Sequence, residues 1–330
     1  MRWLAILPLA DLIVAANPEG MCQPIQLRFV SVGDSGLEGM DLAATVNSIL
    51  GHIDETGVEF VSLLGDNFYP AGIETVQDPV VDSVFRKPWE GVHVPFYPVL
   101  GDNDYGKDLR VGSLSAQVDL SRVESRWVMP SLYYSRITPQ EFGSTCMLFL
   151  DTQSLLSVPN EHSRTLEEID LLGKQMSWLE KTLASVECQS ANFILMFGHH
   201  PILSTGKKHH KNLNGQTISN KLLPLMEKYL VDAYFAGHDH DLQTITFSNA
   251  GEFNPSFIVS GASSRLRKNP KQVVLEHFDT WGANNVIGYA LSELNSEQMV
   301  TTFYDSHRHE PIHRHITPSH LTLRLQRMGA

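Results

Sequence analysis

Several protein classes are excluded by what this chain has little of. It carries three cysteines in 330 residues, Cys22, Cys146 and Cys188, and an odd number supplies no disulfide framework by itself. No Asn-x-Ser/Thr acceptor occurs, so N-glycosylation is not expected. Basic residues are outnumbered, 25 Lys and Arg against 37 Asp and Glu, for a net charge of −12. That balance argues against a nucleic-acid partner, which needs a basic face to neutralise phosphates. It does not exclude small phosphate esters, because bound metal ions supply local positive charge. Beyond the N-terminus no run approaches the roughly 18 apolar residues needed to cross a bilayer, so no stable membrane anchor is expected. Internal repeats and low-complexity linkers are also missing.

The first residues, MRWLAILPLADLIVAA, have the layout of a secretory signal. Arg2 is the charged end, Leu4–Val14 the apolar stretch, and Val14 and Ala16 the small residues before cleavage. Asp11 interrupts the apolar stretch, and a short hydrophobic strand or anchor is the competing reading. The expected division is a signal at 1–16, a catalytic domain at 17–305 and a histidine-rich tail at 306–330. A secreted or vacuolar/lysosomal location follows from the signal. Cys146 and Cys188 each lie near the start of a strand-like run, which fits either a disulfide in an oxidising compartment or two buried thiols.

Composition is that of an ordinary globular protein, 42% hydrophobic and 19% charged. Apolar, β-rich runs recur at 26–32, 58–64, 94–100, 146–150, 193–197, 231–236 and 256–260. Residues 40–57 and 173–186 carry apolar positions at helical spacing. This alternation predicts βαβ units and a largely parallel sheet. Residues 285–294 and 298–306 predict an antiparallel pair with a turn at 295–297. A sheet-on-sheet core with helices outside accommodates both parts.

Potential metal ligands cluster just after five of these runs. Asp34 follows the first; Asp66 and Tyr69 lie in GDNFY (65–69); Asn103 lies in GDND (101–104); His199 follows NFILMFG; His238 and His240 lie in GHDHDLQ (237–243). Ligands of open α/β sheets gather at the carboxyl ends of strands. Asp66 is a carboxylate able to bridge two cations. A Tyr69 phenolate favours a hard trivalent ion, since its deprotonation is costly without a strong Lewis acid. Asn103 offers a neutral oxygen, and the imidazoles suit Fe, Zn or Mn. His238 and His240 diverge if the chain is extended and so can serve different ions. Taken singly, each motif has a simpler explanation as a turn, a capped loop or a satisfied core histidine. The ordered set of five favours a two-metal site.

With LGDNFY (64–69), residues 115–134, LDT (150–152), QMSWLEKTL (175–183) and GHDHDLQ, the chain resembles the purple acid phosphatases of the small, tartrate-resistant type. These belong to the calcineurin-like metallophosphoesterases. The resemblance implies an αββα fold, two mixed β-sheets packed as a sandwich and flanked by helices. It implies Fe(III) held by Asp34, Asp66, Tyr69 and His240, and a divalent Fe, Zn or Mn held by Asp66, Asn103, His199 and His238. The implied reaction is hydrolysis of phosphate monoesters by a metal-bound hydroxide. A phosphodiesterase or nucleotide hydrolase with the same centre, and a scaffold of this fold that has lost turnover, are the rivals.

The family usually has Asn-His after the third strand, the His contacting phosphate or assisting the leaving group. Here Asn103 is followed by Asp104, which stands in the histidine's place as a candidate acid. The family's second outer histidine lies about nine residues after the His199 position; Lys208 stands there, and the adjacent His209, in KKHHK (207–211), is the candidate to take its part. Residues 155–170 match the position of the family's exposed, repressive loop. The tail 306–320 holds five of the fifteen histidines and is a candidate metal scavenger, although a solvated surface is the commoner fate of such a segment.

Overall fold

The computed structural model describes residues 24–106, 111–141, 143–156, 166–206, 209, 213–249, 251–267 and 272–329. The expected signal, most of the expected repressive loop, and Lys207 and Lys208 lie outside them.

Strands β1 (Leu27–Val32), β2 (Phe60–Leu64) and β3 (Phe96–Val99) are parallel and form one half of a six-stranded sheet. Strands β4 (Tyr134–Gln140), β5 (Gly143–Phe149), β6 (Phe193–Phe197), β7 (Ala233–Ala236), β8 (Leu242–Phe247), β9 (Ser256–Ser260) and β10 (Phe278–Ala283) form a seven-stranded sheet, ordered β10-β8-β9-β7-β6-β5-β4. Its four central strands are parallel. Strands β11 (Gly288–Leu294), β12 (Gln298–Asp305) and β13 (Glu310–Pro318) return antiparallel to complete the first sheet, ordered β13-β12-β11-β1-β2-β3. Both sheets are therefore mixed, and the expected antiparallel pair is β11–β12.

The continuous apolar runs reflect burial on both faces. In β6, Phe193, Leu195 and Phe197 join the core between the sheets, whereas Ile194 and Met196 face an outer layer. Helices Leu166–Leu183 and Leu213–Tyr229 cover that layer with Leu179, Leu183, Ile218, Leu222 and Met226. On the other side, helix Met40–Thr56 buries Leu42, Val46 and Ile49 and ends at Gly57 in the left-handed region. Phe149, Phe197 and Phe235 share one register across β5, β6 and β7. Their rings stack at 4.7 and 5.0 Å, and Phe29 of the opposite sheet meets Phe197 and Phe235 edge-on. These contacts join the two sheets and fix their relative position.

A Cys146–Cys188 disulfide ties β5 to the short helix Val186–Gln189, which resolves the two readings of that pair. The segment expected as a tail is built into the fold. β13 pairs along β12. His313 stacks on Trp281 at 4.0 Å, and His315 Nε2 lies 2.8 Å from the Ser256 hydroxyl. Helix Leu321–Gly329 follows, anchored by Arg324, which is buried and donates to Asp232 and to the carbonyls of Leu230, Ala191 and Asn192. His320 Nδ1 also lies 2.9 Å from Asp232. These three histidines have packing partners, so this stretch is not a solvated tail; His307 and His309 remain exposed. No described helix is long and apolar enough to cross a membrane.

Candidate metal centre

Five strands, β1, β2 and β3 of one sheet and β6 and β7 of the other, run out at the same edge, each within two residues of a glycine. The residue after that glycine is Asp34, Asp66, Asp102, His199 or His238. Asp34, Asp66 and His238 have φ of 57°, 54° and 63°. Non-glycine residues rarely adopt this left-handed region, and such strain persists where surrounding structure holds it, often at functional sites. The glycines permit the close approach. A Cβ on Gly101 would lie 2.2 Å from both the amide nitrogen and Oδ1 of Asp66, and one on Gly237 would lie 2.8 Å from Asp34 Oδ2.

Asp34 is fully buried and Asp66 nearly so. The Tyr69 hydroxyl donates to Asp34 Oδ1 at 3.0 Å and to Asp66 Oδ2 at 2.8 Å. His240 Nε2 lies 3.2 Å from Asp34 Oδ1, and its Nδ1 is buried without a hydrogen-bond partner among the described residues. His199 Nδ1 meets the Leu64 carbonyl at 2.8 Å, so it carries the proton and leaves Nε2 for the cluster. That Nε2 lies 3.0 Å from Asp102 Oδ1 and 3.5 Å from Asp66 Oδ1. His238 Nδ1 lies 3.2 Å from Asp102 Oδ1 and from His199 Nε2.

Two groups of side chains could each surround an ion: Asp34, Asp66 and His199, and Asp102, His199, His200 and His238. Burial would raise the Asp34 carboxyl, but the charges of His240, His199 and His238 outweigh it and hold it low. Burial and the neighbouring Asp34 and Asp102 charges raise Asp66 against the pull of His199. His199 is pushed well above its ordinary value because Asp66 and Asp102 overcome its burial. Burial first, then Asp34 and Asp66, drive the Tyr69 phenol far above its ordinary range. Buried carboxylates this close are costly without a compensating cation. A proton on His199, favoured by Asp66 and Asp102, offsets part of that cost while the neutral Tyr69 phenol donates hydrogen bonds, and a metal ion displaces such protons on binding. The oxygen and nitrogen donors and the orphaned His240 Nδ1 fit a pair of metal ions.

The expected ligand Asn103 sits differently. Its amide and backbone N–H donate to Asp66 Oδ2 and Oδ1 at 2.6 and 2.9 Å, so it orients Asp66. Asp102, absent from the expected set, occupies the cluster instead. The Gly-X pattern at the other four exits could have revealed it. This moves the register of GDND by one residue: Asp102 and Asn103 stand where the family's Asn-His is expected. Asp104 is consequently no outer acid. It has no exposed surface and accepts from the backbone N–H groups of Gly101, Asn67 and Phe68 at 2.8–3.2 Å, locking two of the exit loops together. Burial, and then the Asp66 charge, raise its carboxyl to about 7. His209 is half-buried, with its ring against Gly215 at the start of helix Leu213–Tyr229, and its charge reaches His200. His200, also missed, is buried with Nδ1 2.9 Å from the Thr152 hydroxyl and its ring centroid 4.7 Å from that of His238.

The calcineurin-like phosphoesterase profile matches residues 27–242. The chain belongs to this family. It is 30% identical to tartrate-resistant acid phosphatase type 5 of Oryctolagus cuniculus, covering 92% of this chain and 94% of that protein. The Homo sapiens counterpart is 29% identical with the same coverage, and Arabidopsis thaliana purple acid phosphatase 4 is 28% identical over 78% of this chain and 72% of its own. Among solved structures, Plasmodium GAP50, described as the anchor in the inner membrane complex, superposes with a TM-score of 0.74 at 23% identity, covering 93% and 95% of the two chains. The family and the fold, two mixed sheets flanked by helices, are those the sequence implied.

Proposed function

We propose that this protein is an acid phosphatase that hydrolyses phosphate monoesters at a dinuclear Fe(III)–M(II) centre. The observation that carries the reading is the Tyr69 hydroxyl held between Asp34 and Asp66, a phenol poised among carboxylates where a hard trivalent ion would replace its proton. Asp34, Asp66, Tyr69 and His240 would hold that ion. Asp66, Asp102, His199 and His238 would hold a divalent Fe, Zn or Mn. Bound there, the two ions would polarise phosphoryl oxygens and lower the pKa of water.

This chain's own residues position the chemistry. Asn103 fixes both Asp66 oxygens, and the Leu64 carbonyl fixes the His199 ring. Asp104 holds the loops that carry Asp66 and Asp102. His209 is the candidate donor of a proton to the leaving group. The similarity to tartrate-resistant and purple acid phosphatases supports the activity, and the Cys146–Cys188 disulfide supports a secreted or vacuolar/lysosomal location.

Hydrolysis of p-nitrophenyl phosphate against bis-p-nitrophenyl phosphate, with elemental analysis of the same sample, tests the reading. The expected result is about two metal ions per chain, one of them iron, and preference for the monoester. Preference for the diester would make the protein a phosphodiesterase. One observation favours a scaffold without turnover, the Asp102–Asn103 pair where the family has Asn-His. Two bound ions with neither ester hydrolysed would establish that alternative.

A further inference from the structure

Segment 261–267 follows β9 and crosses the metal-centre edge. The Ser263 and Ser264 hydroxyls donate to the carbonyls of Gly33 and Asp34, so this segment is fastened to the exit of β1. It carries two arginines with different surroundings. Arg267 donates to Asp239 Oδ1 and to the His238 carbonyl, both at 3.1 Å, and its charge is neutralised within the fold. Arg265 is half-buried, with its guanidinium carbon 5.0 Å from the centroid of the Tyr69 ring. Among the described residues it makes no ion pair.

We propose that Arg265 is a substrate-binding residue that contacts the phosphate oxygens of the ester at the metal centre. The proposal rests on the phosphatase reading above. Tyr69 is itself hydrogen-bonded to Asp34 and Asp66, so a cation on its ring lies at the rim of that cluster. The fork of a guanidinium matches the oxygens of a phosphate, and stacking on a ring pre-orders it.

Charge supplies the second argument. Asp34, Asp66 and Asp102 with a Tyr69 phenolate bring four negative charges. An Fe(III)–M(II) pair brings five positive ones, leaving a single positive charge to meet a phosphate dianion. A neutral amide at position 102 would leave two. Arg265 restores what Asp102 removes. Asp104, buried under backbone amides, cannot contact the ester, and Asn103 is committed to Asp66.

The test compares the metal-loaded wild-type protein with Arg265→Gln and Arg265→Lys. Three readouts are taken: Kd for inorganic phosphate by calorimetry, KM and kcat for p-nitrophenyl phosphate, and the visible spectrum with metal content. Arg265→Gln should raise both the phosphate Kd and KM about tenfold, equivalent to about 1.4 kcal/mol, with a smaller change in kcat. Arg265→Lys should recover part of the loss. Metal content and the visible band should stay as in the wild type.

An unchanged phosphate Kd in Arg265→Gln overturns the proposal. So does a shifted visible band with unchanged phosphate affinity, since Arg265 would then act only through Tyr69. Wild-type protein that binds phosphate but hydrolyses no ester defeats the phosphatase reading alone, and the calorimetric comparison still decides on Arg265. Wild-type protein that binds no phosphate defeats the Arg265 proposal.

Discussion

Tyr69 donates its hydroxyl to Asp66 at 2.8 Å from three residues along the same loop, so the phenol is tied directly to the candidate bridging carboxylate. Fe(III) bound there should give a phenolate-to-metal absorption in the visible. Tyr69→Phe should bleach it while the far-UV circular dichroism stays native. Colour that persists in the mutant would mean that another group is the ligand.

Asp102 and Asn103 make separable contributions. Asp102→Ala should lower metal content to about one ion per chain, because it removes the carboxylate that lies within 3.0–3.2 Å of both His199 and His238. Asn103→Ala should keep both ions and lower kcat, because Asp66 loses a side-chain donor but stays between the sites. Elemental analysis showing the reverse, loss of an ion in Asn103→Ala and none in Asp102→Ala, would restore Asn103 as the ligand.

The role of Asp104 is a stability question. Removing its carboxylate strands the buried N–H groups of Gly101, Asn67 and Phe68. At about 1–3 kcal/mol for an unsatisfied buried group, Asp104→Ala should cost roughly 3 kcal/mol, measured as a lower urea midpoint. Asp104→Asn should leave the shape of the pH–rate profile unchanged. A profile that loses its alkaline limb in Asp104→Asn would return this residue to the chemistry.

His315 should make the fold sensitive to acid. Burial, aided by the charge of His313, lowers its pKa from 6.5 to about 4. The unfolded chain therefore binds the proton first as pH falls. The stability from keeping this ring neutral is full above pH 6.5 and is lost between there and pH 4, by at most about 3 kcal/mol. His52 and His313, also lowered by burial, act in the same direction. Thermal melting from pH 7 to 4 should show a falling Tm, with a shallower slope in His315→Gln. Equal slopes would leave His315 without a part in acid sensitivity.

The parallel strands were legible because both of their faces are buried. Edge and returning strands were not. β4, β10 and β13 expose alternate or most positions, so they present no apolar run, and His313 and His315 of β13 read as solvated although Trp281 and Ser256 pack against them. At the site, residue type was legible but register was not. Asp34, Asp66, His199 and His238 each follow a strand-exit glycine, and Asp102 obeys the same rule. Preference for a neutral oxygen moved the choice one residue on, to Asn103, and carried Asp104 with it. Only the geometry around Asp66 separates the ligand from the residue that aims it.

The pairing of β1 with β11, Leu27 opposite Leu294, has a consequence for biosynthesis. When β1, β2 and β3 leave the ribosome, β1 has one neighbour and an open edge. That edge is filled only after about 190 further residues have been made, when β11 docks and β12 and β13 follow. The metal-centre residues of the first sheet thus sit on a half-finished platform during translation. Such long-range closure makes folding slow and exposes strand edges to other chains in the interval. Completion of the site belongs to the end of synthesis, so a nascent chain released before β11 should retain no paired metal centre.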